Sequence, residues 1–372
     1  MNKVPVEACC EILDSQRIPI TASARSKGQY PYYGANGIQD YVDDYIFDDE
    51  LVLLAEDGGN FGSKDRPIAY RVSGKCWVNN HAHVLKPKHG LDVDYLCYAL
   101  MFYDVTGLVK GATRMKLTQA AMRQMLIPLP EFSEQLRIVN YLSTIQEIMR
   151  KRQQQLSALD DLIKARFFEM FGTYPSNEKG WPTGTIRDLV TEVRYGSSRK
   201  AAENNSGKYP YLRMNNITYN GELDLSDTKT IDIPDEELDK CTVHRGDLLF
   251  NRTNSKELVG KTCVYNRDEL MVLAGFVVRV RLNEKALPEF VSAFMNTSFS
   301  KQMLLNMCKA AIGQANINAQ ELQNISIYIP PITLQREFVS FKEQIDKSKS
   351  AIQKSLDETQ ILFDSLMQKY FG

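Results

Sequence analysis

The 372-residue chain carries 45 Lys and Arg against 46 Asp and Glu, with 43% hydrophobic residues, the ordinary balance of a globular protein. No run of 18 apolar residues occurs, which excludes a membrane-spanning helix, and Met1-Asn2-Lys3-Val4-Pro5 is not followed by the apolar core of a signal peptide. Seven scattered Cys form no disulfide framework and point to reduced thiols in the cytoplasm, and the net charge of −1 counts at first sight against nucleic acid, whose binders are commonly basic.

In chain order, residues 1–130 read as an α+β globule. Short β-type runs such as Leu51-Val52-Leu53-Leu54 are bounded by Gly, Asn and Asp, and one helical stretch follows near Val93–Tyr103. Residues 131–180 are a helix and a linker. Ile138, Leu142, Ile145, Met149, Arg152, Leu156, Leu159, Ile163, Arg166 and Met170 recur at alternating intervals of four and three, an a/d seam over about five heptads. The helix starts after Pro130 and closes at Gly172. At 1.5 Å per residue it predicts a rod of roughly 50–60 Å. Asn177–Gly184 reads as a linker into residues 181–330, a second α+β globule. Its β-type runs include Leu248-Leu249-Phe250 and Phe276–Arg281, and one helical stretch follows near Pro288–Met307. Residues 331–372 repeat the helix, with a seam of Phe338, Lys342, Ile345, Lys349, Ile352, Leu356, Thr359, Phe363, Leu366 and Tyr370.

The second half repeats the first. Residues 111–172 align with 311–372 without a gap, matching Gln135 to Gln335, Leu162 to Leu362 and Phe171-Gly172 to Phe371-Gly372. Upstream, Gly28-Gln29-Tyr30-Pro31-Tyr32 recurs as Gly207-Lys208-Tyr209-Pro210-Tyr211, followed in both copies by Asn and Ile. Both seams contain cations, namely Arg152, Arg166, Lys342 and Lys349, which a homodimer would press together. Antiparallel pairing of the two helices within one chain, in a pseudo-two-fold internal duplication, is the economical arrangement.

Catalytic signatures are missing from the sequence. The single Pro-Pro, Pro330-Pro331, is followed by Ile332 and opens a helix, unlike an amino-group methyltransferase motif. Neither a phosphate loop nor a dinucleotide fingerprint occurs, and Gly58-Gly59-Asn60-Phe61-Gly62 reads as a surface turn. His81 and His83, near Cys76 and His89, have strand-like spacing, but no second ligand group stands nearby, so a structural or surface role is expected. Adjacent Cys9 and Cys10 rarely pair.

Polar loops remain, with residue types that contact phosphates and base edges. The candidate nucleic-acid contacts are Lys110, Arg114 and Lys116; Arg194, Tyr195, Ser197, Arg199, Lys200 and Arg213; Asn251, Arg252, Asn254 and Lys256; and Lys309, Gln314 and Asn316. No metal or cofactor site is assigned to the chain.

Taken together, Gly-x-Tyr-Pro-Tyr in both halves, Gly246-Asp247-Leu248-Leu249-Phe250-Asn251-Arg252, Gly313-Gln314-Ala315-Asn316-Ile317, Ile329-Pro330-Pro331 and the Ile127–Val139 helix start resemble the specificity (S) subunits of type I restriction-modification systems over nearly the whole chain. The resemblance implies two tandem target recognition domains, each reading half of a bipartite asymmetric double-stranded DNA site, separated by two long antiparallel coiled-coil helices. It implies a non-catalytic, cytoplasmic, nucleoid-associated subunit with no membrane partner. Two modification subunits would dock on it and bring S-adenosylmethionine for adenine-N6 methylation, and restriction subunits would bring ATP and Mg2+. A related system that cuts on both sides of its site, a self-contained DNA methyltransferase or nuclease, and a coiled-coil adaptor are the alternatives. The second copy opens with Trp181-Pro182 and Ile186-Arg187-Asp188-Leu189, whereas the first opens with Val6-Glu7-Ala8-Cys9-Cys10 and lacks the Trp, which leaves its first strand open.

Subdividing the chain changes the meaning of its neutral charge. Residues 40–57 hold eight acids and no Lys or Arg, whereas 58–130 hold ten basic residues against four acidic; residues 222–239 hold eight acids and one Lys, whereas 194–213 hold five basic residues against one acid. One basic face per globule is compatible with a neutral total.

Overall fold

The computed structural model describes residues 2–111, 115–311 and 314–372, which form two compact units: Met1–Gln154 with Gln353–Gly372, and Gln155–Ile352. Each unit holds one globule and a segment of each long helix.

The first unit is built on a six-stranded sheet in the order Cys10–Ile12, Ala82–Pro87, Phe47–Ala55, Ala69–Val78, Lys27–Gly34, Gly37–Val42. Its central strand is apolar on both faces because both faces are covered. Leu51 and Leu53 pack with Phe47, Val72, Cys76 and Val84, whereas Val52 and Leu54 join Tyr95, Leu96 and Leu100 of the Val93–Met101 helix. Asp92 caps that helix by accepting the Tyr95 N–H at 2.9 Å. The first strand is also settled: Lys3–Pro5 pairs antiparallel with Leu126–Pro128, as Thr183–Thr185 does with Ser326–Tyr328 in the second unit. Trp181 is not needed for that strand. Its indole instead donates to the Phe171 carbonyl at 3.0 Å, fastening the chain to the end of the preceding helix.

In the second unit the corresponding strands form two four-stranded sheets. One runs Val190–Tyr195, Val277–Leu282, Leu248–Asn251, Thr262–Val264; the other runs Lys229–Ile231, Tyr209–Leu212, Met271–Leu273, Thr242–Val243. The helical stretch expected near Pro288–Met307 is two helices, Pro288–Met295 and Ser298–Met307. Thr297 causes the break, adopting an extended conformation and accepting the Ser300 N–H at 3.2 Å as a new helix cap.

The repeated Gly-x-Tyr-Pro-Tyr segment has one task in both units. Its second Tyr is buried and ties down the preceding loop: the Tyr32 hydroxyl donates to the Ile20 carbonyl at 3.2 Å, and the Tyr211 hydroxyl to the Arg199 and Ser197 carbonyls at 2.9 and 3.1 Å. The matched glutamines are a second shared fastening. Gln135 is fully buried, accepts from Asp92 N–H and donates to the Gly90 and Pro130 carbonyls, all at 2.9 Å. Gln335 repeats this with Leu287, Lys285 and Pro330 at 2.8–3.0 Å. A buried amide with its hydrogen bonds filled fixes the angle at which each long helix leaves its globule.

The long helices, Phe132–Phe171 and Ile332–Phe371, have 40 residues each. Within the first unit the start of one packs on the end of the other: Ile138, Leu142 and Ile145 share a core with Phe363 and Tyr370, and Arg152 donates to Ser355 and Thr359. Within the second unit the end of one packs on the start of the other, through Phe167, Phe171 and Phe338 and a 2.5 Å ion pair between Lys349 and Asp160. Both segments are antiparallel. The seam cations avoid one another, since Arg166 pairs with Glu169 at 2.7 Å and Lys342 with Asp346 at 2.5 Å.

Candidate nucleic-acid interface

The two units carry the same small backbone construction. In the first, the central strand ends at Ala55, and Glu56 accepts the Leu117 N–H at 2.7 Å while donating its own N–H to the His81 carbonyl at 2.9 Å. In the second, the strand ends at Asn251, and Arg252 accepts the Ile317 N–H at 2.9 Å while donating to the Phe276 carbonyl at 3.0 Å. The next residue pairs across in each, Asp57 with Lys116 and Thr253 with Asn316. Each frame therefore holds the foot of a short hairpin. That hairpin is Val109–Lys110 with Lys116–Leu117 in one unit and Lys309–Ala311 with Gln314–Asn316 in the other.

The frame gathers part of the candidate set. Around the second hairpin stand Tyr195, Asn251, Arg252, Asn254 and Asn316, with Lys309 and Gln314 placed by their backbone. The Arg252 guanidinium lies 4.9 Å from the Tyr195 ring centroid, and the Tyr195 hydroxyl accepts the Ala319 N–H at 3.0 Å. Asn316 accepts from the Thr253 hydroxyl at 3.3 Å, and Asn254 accepts the Ser255 N–H at 2.8 Å. Arg252 Nε and Asn251 Nδ2 are buried without a hydrogen-bond partner among the described residues, an unusual state for strong donors. The Tyr195 ring beneath the cation remains 44% exposed, and Phe276, whose carbonyl accepts the Arg252 N–H, is 52% exposed.

Other candidates lie elsewhere in the same unit or are engaged. Arg199 makes a two-pronged pair with Glu237 at 2.7 and 3.1 Å, Arg213 pairs with Asp227 at 3.0 Å, and Arg194 stands 3.4 Å from Glu192. Ser197 is buried and accepts the Arg199 N–H at 3.2 Å. Lys200 and Lys256 are exposed. In the first unit Lys110 is exposed at the hairpin, Lys116 binds Glu56 at 2.9 Å, and Arg114 falls outside the described residues.

A family model described as the type I restriction modification DNA specificity domain matches residues 2–158 and 178–360. The chain belongs to this family. A putative type I restriction enzyme specificity subunit of Haemophilus influenzae is 39% identical over 141 residues, covering 38% of this chain and 36% of that protein. The EcoKI specificity subunit of Escherichia coli K12 is 22% identical over 340 residues, covering 86% of this chain and 72% of that one. The fold matches the S subunit of a type I system from M. genitalium with a TM-score of 0.59 at 14% identity, over 100% of this chain and 96% of that chain.

Family membership leaves a buried charged cluster beneath the first hairpin to be explained. Asp14, Glu56 and His83 lie close enough to hold a metal ion, but their ligand atoms already have partners. Asp14 accepts from Val84 N–H at 2.9 Å and Gln119 Nε2 at 3.0 Å, and meets His83 Nδ1 at 2.6 Å. Glu56 holds Arg17 at 2.6 Å as well as Lys116. The cluster is thus a compensated ion network rather than a metal centre. Cys76 packs in an apolar cluster instead, and His89 is exposed.

Burial alone would raise the Asp14 carboxyl, but hydrogen bonding and charge from His83, then Val84 and Gln119, hold it below the usual range. Glu56 is held low in the same way, with burial outweighed by Lys116, Arg17 and His83. A depressed carboxylate contributes stability above its unfolded pKa near 4, and that contribution is lost as pH falls through the folded value. The first unit is therefore expected to melt earlier as pH falls below about 4, and Glu56→Gln to flatten that dependence. Thermal melts from pH 7 to 3 check both.

Sequence reasoning missed Asp14, Glu56 and Phe276, and gave His83 only a structural or surface role. The apolar run before Glu56 matches the one before Arg252 at an offset of 196, different from that of either repeated block. Aligning that run places Glu56 against Arg252.

Proposed function

We propose that this chain is the non-catalytic, DNA-reading specificity subunit of a type I restriction-modification complex, each unit reading one half of a bipartite asymmetric double-stranded site. One observation carries it: a single backbone frame occurs in both units and bears different polar side chains in each. Like frames place two readers alike, and unlike side chains give them different bases to prefer. In the second unit an Arg resting over the exposed Tyr195 ring and the exposed Asn316 are of the types that bond base edges.

Two methyltransferase subunits supply S-adenosylmethionine chemistry, restriction subunits supply ATP and Mg2+, and the long helices set the spacing of the half-sites and dock the methyltransferase subunits. Leu136, Tyr141, Ile148, Ile361 and Leu362 on the helix segments of the first unit are 39–68% exposed, an apolar surface of the kind partner proteins cover. The segregated basic stretches, set in a neutral chain, favour a subunit that clamps DNA only together with its partners. Binding of the assembled complex to its site across a salt series, with and without Arg252, tests this function.

A further inference from the structure

The shared frame is held in place by different chemistry in the two units. Beneath the first hairpin, His83 is fully buried and its Nε2 lies 2.9 Å from the carbonyl of Leu117, the hairpin's last residue. A carbonyl only accepts, so Nε2 carries the hydrogen, while Nδ1 bonds Asp14. Gln119, just past the hairpin, donates to the same Asp14 carboxylate. Glu56 holds the hairpin's Lys116 through its side chain and Leu117 through its carbonyl. Arg17 bridges the network by meeting Glu56 at 2.6 Å and the Ala82 carbonyl at 2.7 Å.

Among the described residues of the second unit the matched positions hold no such network. Tyr195 accepts from Ala319, where Asp14 accepts from Gln119, and Arg252 stands in place of Glu56.

We infer that Asp14, Glu56 and His83 are positioning residues that set the pose of the first reading hairpin, and hence the base preference of one half-site only. This rests on the DNA-reading function proposed above. None of the three needs to touch DNA. They act through Lys116, Leu117 and Gln119, and a hairpin foot displaced by an ångström changes which base edge its side chains meet.

The test uses the full chain assembled with its methyltransferase subunits and duplexes carrying single-base changes in either half-site. Glu56→Gln keeps the shape and removes the charge that holds Lys116 and Arg17. It should lower discrimination about 10-fold, the scale of one good base contact, at one half-site and leave the other within about 2-fold. His83→Asn should affect the same half-site, and Glu56→Asp should restore part of the discrimination. The unchanged half-site controls for assembly of the complex, and a melting temperature at pH 7 kept near that of the unsubstituted chain controls for folding of the first unit. Loss of discrimination only in step with a lowered melting temperature would overturn the inference. Equal loss at both half-sites, or none at either, would overturn the inference. If Lys116→Ala alters one half-site while Glu56→Gln alters neither, only the positioning role falls. If Lys116→Ala and Arg252→Ala both leave DNA binding intact, the reading function itself falls.

Discussion

Truncating Phe171 to Ala is expected to destabilise the second unit by about 3–5 kcal/mol, the range for deleting a buried aromatic ring. Phe171 is fully buried, with its ring centroid 4.9 Å from Phe290, 5.0 Å from Phe167 and 5.6 Å from Phe338. These residues come from the end of the first long helix, the start of the second and the Pro288–Met295 helix, so one void would loosen all three. For a unit of this size the loss corresponds to roughly 6–20 °C in melting temperature. The matched Phe371 offers an internal comparison. It is only partly buried, with Tyr95 as its aromatic neighbour among the described residues, at 5.2 Å, so Phe371→Ala should cost clearly less. Calorimetry of both variants measures the difference, and equal losses would refute the packing argument.

The second large effect belongs to Arg252. Its guanidinium rests over Tyr195, and its Nε has no partner among the described residues, so the side chain is held in place without being neutralised. Arg199 and Arg213, by contrast, are already paired with carboxylates. Arg252→Ala in the assembled complex is expected to weaken specific binding about 10–100-fold, corresponding to roughly 1–3 kcal/mol, and to relax the preference at one base position. Arg199→Ala should change affinity only a few-fold. A uniform loss across all sequences would mark Arg252 as a phosphate contact, because phosphates carry no sequence information.

The architecture was legible where the sequence repeats itself. The Gln135 and Gln335 match, the seams and the Gly172 stop all have local causes, namely a buried amide, a 3.5-residue period and a helix terminator. The break at Thr297 was not legible, because a single capping residue inside an apolar helical pattern gives little local signal. The site was legible only in part. Arg252, Asn316 and Tyr195 are polar residues of reading type in three separate loops, and the fold places Arg252 over the Tyr195 ring and Asn316 beside Thr253. Asp14, Glu56 and His83 are 42 and 27 residues apart along the chain, and only the strand pairing of Cys10–Ile12, Ala82–Pro87 and Phe47–Ala55 brings them into one cluster. Pairing between distant strands leaves no mark in a sequence window, and a buried His reads there like any other.

Exchanging residues 181–330 for those of another family member, followed by mapping of methylated adenines in a host that also expresses the partner subunits, tests the central claim most directly. The exchanged chain should direct methylation to a site with one half-site replaced and the other retained. A change in both half-sites, or in neither, would contradict two independent readers in one chain.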